Sequence, residues 1–172
     1  MYKIFGAKGL IDDTNNFIDK ITVFSKKKNI LIQVFDADLI FGKNHIITSI
    51  NHALRAIERK KNTTNSVAME ILLYASGERQ LKLAIPKMGI KYNTNKIAFI
   101  LLNKINSDIN ISNNLIDELL GFLSLTRCDD VLNGNEKTLK KFGIDKNEIK
   151  TITKNNYEKL VIEKIALVDI IK

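Results

Sequence analysis

Tryptophan is absent from the 172 residues, and aromatic side chains of all kinds make up only 7%. A broad platform for stacking several bases is therefore not expected. The one cysteine, Cys128, cannot form an internal disulfide, which fits a reducing, cytosolic setting. With only two histidines beside it, the chain lacks the ligands of the common structural zinc sites. No run of about 18 uncharged apolar residues occurs, so no membrane-spanning helix is expected. The opening MYKIFGAKGL has no apolar block of the kind a secretory signal carries. No internal repeat and no low-complexity linker interrupts the chain.

Catalytic signatures are missing too. Neither GxxxxGK[ST] nor GxGxxG occurs, and the pair Gly6 and Gly9 reads as a turn after a first strand. Cys128-Asp129-Asp130 has no histidine beside it. His45 and His52 share a predicted helix face without a carboxylate or thiol at metal spacing. The pairs Asp12/Asp13, Asp36/Asp38 and Asp129/Asp130 could hold a metal ion, but they read more simply as caps and turns. No catalytic residue, metal site, cofactor or small-molecule substrate is expected.

What is present is apolar substance and positive charge. Hydrophobic residues make up 45%, enough for a core in one domain spanning 1–172. The net charge is +8, which fits either a polyanionic partner or a solvated lysine surface. Strands are predicted over 1–8, 30–36 (ILIQVFD) and 96–102 (KIAFILL). Helices are predicted from Asp12-Asp13 to about 26, over 45–61, as a broken pair over 66–75 and 78–85, and over 112–125 capped by Ser112. Short helical pieces over 136–150 turn at Gly143, and an apolar helix spans 155–170, with an extended end as one option. Pro86 should end or kink its helix. Loops are expected at Asn106–Asn114 and Thr126–Glu136. The class is α+β: a small mixed β-sheet surrounded by several helices.

Two places gather charge. In HIITSINHALRAIERKK (45–61), Ile46, Ile50, Ala53, Leu54 and Ile57 fall on one face, while His45, His52, Arg55 and Arg59 fall on another. Lys60 and Lys61 follow directly. This is a phosphate-binding stripe or a solvated face, with Glu58 near enough to neutralise an arginine. In EILLYASGERQLKLAI (70–85), Ser76 reads as an N-cap for a helix starting near Gly77, whose free N–H groups would attract an anion flanked by Arg79 and Lys82. The plain alternative is a helical corner, and Glu78 favours it.

Two segments carry more apolar residues than one buried stripe needs. One is Val67, Met69, Ile71, Leu72, Leu73 and Tyr74. The other is Leu160, Val161, Ile162, Ile165, Ala166, Leu167, Val168, Ile170 and Ile171. Each is either central in the core or shared with a protein partner.

The run EILLYASGERQLKLAI..MGI, the strand KIAFILL and the ending EKIALVDII together resemble the small KEOPS-complex subunit of the TPRKB-like family, over nearly the whole chain. The block Leu73-Tyr74-Ala75-Ser76-Gly77 to Gln80 is the most specific part. The resemblance implies a non-enzymatic, cytoplasmic subunit that binds and stimulates the complex's protein-kinase subunit. It also implies capture of tRNA by its single-stranded 3′ CCA end, for threonylcarbamoyladenosine modification of ANN-decoding tRNAs. Carried over by position, the tRNA surface would include the block Ser76-Gly77-Glu78-Arg79-Gln80 with Arg59, Lys60 and Lys61, and the charge pattern adds Arg55 and Lys82 to it. Apolar positions such as Ile152 and Leu160 would meet the kinase. A stand-alone RNA-binding module and a purely structural docking adaptor remain open alternatives.

Overall fold

An apolar run with no polar alternation belongs in a strand covered on both faces. The strand β3 (Lys96–Asn103) obeys this, with six consecutive buried residues, Ile97 to Leu102. It is central in the sheet. The computed structural model describes residues 1–104, 107 and 109–171 of the chain. Within them β1 (Tyr2–Lys8), β2 (Ile30–Asp36), β3 and β4 (Thr126–Arg127) form a four-stranded sheet in the order β2-β3-β1-β4. Every pairing is antiparallel, with Phe5 opposite Phe99 and Val34 also opposite Phe99. The expected mixed sheet is thus corrected. β1 and β2 do run the same way, joined by helix α1 (Thr14–Lys28), but β3 is inserted between them, so no parallel ladder forms. β4 lies in the segment expected to be loop. It forms because the edge of β1 offers Ala7 and Lys8 as partners.

The chain divides into two compact units. The first, Met1–Ala37 with Ile90–Val131, contains the sheet, α1 and α5 (Asn113–Phe122). Asp13 caps α1 by accepting the Asn16 N–H, and Asn29 ends it in the left-handed conformation at φ 51°. Phe17, Ile21 and Phe24 are buried at helical spacing, as the amphipathic pattern predicts. Ser112 caps α5 through the Leu115 N–H. Phe5 and Phe99 stack at the centre with ring centroids 4.9 Å apart. Of the loop predicted over 106–114, positions 106 and 108 lie outside the described residues.

The second unit, Asp38–Gly89 with Leu132–Lys172, contains helices alone among its described elements. These are α2 (Gly42–Glu58), α3 (Val67–Ser76), α4 (Leu81–Met88), α6 (Glu136–Phe142), α7 (Lys146–Lys150) and α8 (Tyr157–Ile171). α3 is buried nearly all round, Ala68 and Glu70 through Ser76, so central burial accounts for its apolar surplus. α8 buries Val161, Ile165 and Val168 and leaves Leu167 and Ile170 exposed, while the Ile171 side chain lies outside the described residues. It stays helical to Ile171, so no extended end forms. α4 continues past Pro86 for two residues instead of stopping there.

Candidate nucleic-acid interface

The basic stripe on α2 is partly what the spacing predicts. Arg55 and Arg59 are exposed, as are Lys60 and Lys61 after the helix. His45 is not part of that face: it is fully buried. Its Nε2–H donates to the Ala75 carbonyl (2.8 Å) and its Nδ1 accepts the Phe41 N–H (3.1 Å), so both ring nitrogens are committed to the neutral form. Burial, and to a lesser degree the charge of Lys87, lowers its pKa from the ordinary 6.5 to about 4. The α2 heptad pattern placed His45 with His52 because a seven-residue step returns close to the same face. His45 sits in the first turn of the helix, against the end of α3, and there the face turns inward.

α2 ends in a Schellman motif. The Lys61 N–H reaches the Ala56 carbonyl (2.8 Å) and the Lys60 N–H the Ile57 carbonyl (3.0 Å), with Lys60 left-handed at φ 56°. The turn that follows is held by a residue the sequence reading did not single out. Glu70 is fully buried, and its carboxylate accepts the N–H groups of Thr63 (3.2 and 3.1 Å) and Thr64 (3.0 Å). Its place at the first turn of α3 also sets its charge against the positive end of that helix. The one available signal was a lone acid inside the apolar run VAMEILLYA.

Beside this turn is a cavity of about 460 Å³ lined by Arg55, Ala56, Arg59, Lys61, Tyr74 and Asp169. Three of the predicted basic residues therefore share one concavity. At its wall the Tyr74 hydroxyl donates to Asp169 Oδ1, and His52 Nδ1 lies 2.6 Å from Asp169 Oδ2. These bonds tie α2, α3 and α8 together. Burial, and then the Asp169 bond, pushes the Tyr74 hydroxyl well above its ordinary pKa, so it stays a donor at neutral pH. The chemistry on offer is cationic donors beside an acidic wall, with the buried Tyr74 behind it, which suits a phosphorylated ligand.

The second predicted group does not line this cavity. Ser76 is also not an N-cap. It is the last residue of α3, fully buried, with its Oγ donating to the Leu73 carbonyl (2.8 Å). Gly77, left-handed at φ 68°, closes a second Schellman motif through Gly77 N–H to Tyr74 O (3.0 Å) and Glu78 N–H to Leu73 O (3.2 Å). The break thus presents carbonyls, and it draws a cation: Lys87 Nζ donates to the Ser76 carbonyl (2.7 Å) and to Glu78 Oε1 (3.0 Å). The following helix begins at Leu81, with Gln80 at its cap position making no side-chain cap bond. Arg79, Gln80 and Lys82 are exposed around that start. Ile152 and Leu160 are both half-buried.

The acidic pairs serve as caps and ties. Asp13 caps α1, Asp129 accepts the Gly6 N–H (2.9 Å), and Asp38 pairs with Lys141 (2.5 Å). Among the described residues no group of three or more His, Cys, Asp or Glu could hold a metal ion, and no helix is long and apolar enough to cross a membrane.

Two comparisons bear on this geometry. The family model described as kinase binding protein CGI-121 matches residues 11–169. The regulatory protein Cgi121 of Methanocaldococcus jannaschii is 41% identical over 59 residues, which span 34% of this chain and 38% of that relative's length.

Proposed function

The chain belongs to the CGI-121 family, and from that membership we propose that it is a non-catalytic subunit that binds and regulates a small protein kinase of the KEOPS complex. In the same reading it acts in the cytoplasm as one domain and recruits tRNA by the 3′ CCA end for threonylcarbamoyladenosine formation. The observation that carries the tRNA half is the cavity where Arg55, Arg59 and Lys61 meet Tyr74. A single-stranded end is flexible and presents its phosphates without a partner strand, and a small pocket of convergent cations suits it. Arg79, Gln80 and Lys82, exposed at the start of α4, extend the approach; Ser76 and Gly77 contribute by holding that corner. The kinase half rests on the family description and on the apolar residues that α8 leaves at the surface, with Ile152 and Leu160 as the contacts to test.

The test compares intact tRNA with tRNA lacking its 3′ CCA, by fluorescence polarisation at two salt concentrations. Arg55→Glu combined with Arg59→Glu should weaken binding of intact tRNA by about tenfold or more and flatten its salt dependence. Equal binding of both tRNAs by the wild type would refute recruitment by the CCA end. In parallel, Leu160→Arg should prevent co-purification with the kinase subunit while leaving tRNA binding intact.

A further inference from the structure

We propose that the cleft at the amino end of α8 is a nucleotide site, taking a nucleoside di- or triphosphate with its phosphates on a lysine cluster and its base against two aromatic rings. This goes beyond the tRNA reading and uses none of the residues assigned there. A cavity of about 560 Å³ is lined by Phe41, Tyr157, Glu136, Lys137, Lys140 and Lys154, with backbone of the preceding turn. A neighbouring one of about 400 Å³ shares Glu136, Lys140 and Tyr157 and adds Lys146 and Lys150. Five exposed lysines from α6, α7 and the turn before α8 thus face one double-lobed cleft that contains a single carboxylate.

That carboxylate does not cancel them. Glu136 is tied to Lys140 (2.6 Å), and the bond and charge of Lys140, with a contribution from Lys154, hold its carboxyl below the usual range. Among the described residues Lys137, Lys146, Lys150 and Lys154 have no ion pair. Some lysines of the same unit do find an acid, as Lys141 does in Asp38 and Lys164 in Glu148; these four are gathered in one cleft without one. Like charges gathered in a concavity repel one another, so the arrangement favours a ligand that brings several negative charges at once.

The apolar half of the cleft narrows the class. Gly134 lies so close to the Phe41 ring that a Cβ there would come within 2.4 Å of it, which keeps the floor flat. Tyr157 is half-buried, and its hydroxyl has no hydrogen-bond partner among the described residues. A planar base over the rings, a sugar hydroxyl on the Tyr157 oxygen and phosphates among the lysines would satisfy all three features. A phosphodiester strand spreads about one charge per nucleotide along its length, whereas a di- or triphosphate concentrates its charges at one point, as the cluster does.

The test is a titration of the full-length protein with ATP, read by calorimetry, against a pentauridylate RNA and inorganic phosphate. ATP should bind saturably. Lys137→Glu with Lys154→Glu should weaken it by about tenfold or more, and Tyr157→Ala by severalfold. The matched pair Lys8→Glu with Lys20→Glu, which removes the same net charge from the sheet unit, should leave ATP binding within about twofold. The proposal is overturned by any of three results: no saturation with millimolar ATP, equal loss in both charge-reversed pairs, or pentauridylate binding more tightly than ATP and failing to be displaced by it. Loss of tRNA recruitment with ATP binding intact would strike only the function proposed above.

Discussion

α2 and α3 end in the same way and are held very differently. Both finish in a Schellman motif, with Lys60 left-handed after α2 and Gly77 after α3. At the α3 end the terminal carbonyls are taken by side chains from other helices: His45 holds Ala75 and Lys87 holds Ser76. At the α2 end no side chain among the described residues does this. The turn is instead gripped from beyond, by Glu70 on the N–H groups of Thr63 and Thr64. One end is sealed into the unit, and the other leaves Arg59, Lys60 and Lys61 at the surface. The difference shows how one capping geometry can make either a structural corner or a basic, solvent-facing one.

The largest break in this comparison should come from Glu70→Ala. It takes the acceptor from the Thr63 and Thr64 N–H groups, whose bonds to it are half-buried, empties the fully buried Glu70 site and removes the grip on the basic turn. A loss of about 4 kcal/mol is expected in urea unfolding, with the midpoint shifted and the slope unchanged. If the loss is under about 1 kcal/mol, the carboxylate is not what orders the turn.

Acid should act next, at the sealed end. His45 is neutral in the fold with a pKa of about 4, against 6.5 in the unfolded chain. Between those values the unfolded chain binds a proton that the native state refuses, so stability falls as pH drops from about 6.5 toward 4. The total is up to about 3 kcal/mol, and the contribution is fully present above 6.5. Thermal melting of the wild type and His45→Gln across that range should show a slope in the first that is shallower in the second. Equal slopes would remove His45 as the cause.

Much of the fold was legible in local pattern. Continuous apolar runs marked β2 and β3, and Asp13 and Ser112 stood where caps belong. What was illegible depends on partners distant in sequence. β4 is two residues whose strand character comes from the edge of β1. Tyr74 and Asp169 meet across 95 positions. Ser76-Gly77 is the instructive error: serine before glycine fits an N-cap and equally a helix end. Only the left-handed Gly77 and the Leu73 and Tyr74 carbonyls decide between them. Arg55 and Arg59 were legible because they sit one turn apart, and Lys61 because it follows them directly, but the wall they share with Tyr74 and Asp169 was not.

A smaller effect should follow from Gly77→Ala. A Cβ at that site would meet Phe142 and Lys164 at 3.5 and 3.6 Å, which is ordinary contact, so space is not the constraint. The cost is the left-handed backbone alone, about 1 kcal/mol. A much larger loss in chemical unfolding would mean that His45 and Lys87 lose their carbonyl partners as well, and that the seal depends on the turn.

The mirror substitution gives the smallest effect and the sharpest reading. Lys60 holds a left-handed conformation at φ 56° that glycine adopts without strain, and its side chain is exposed. Lys60→Gly should therefore stabilise the protein by about 0.5–1 kcal/mol, despite the greater freedom of glycine in the unfolded chain. If the same variant also binds tRNA more weakly, the strain at position 60 is the cost of placing a cation where the chain prefers none. Unchanged tRNA binding would leave the arginines of α2 and Lys61 as the contacts, with Lys60 a bystander in the turn.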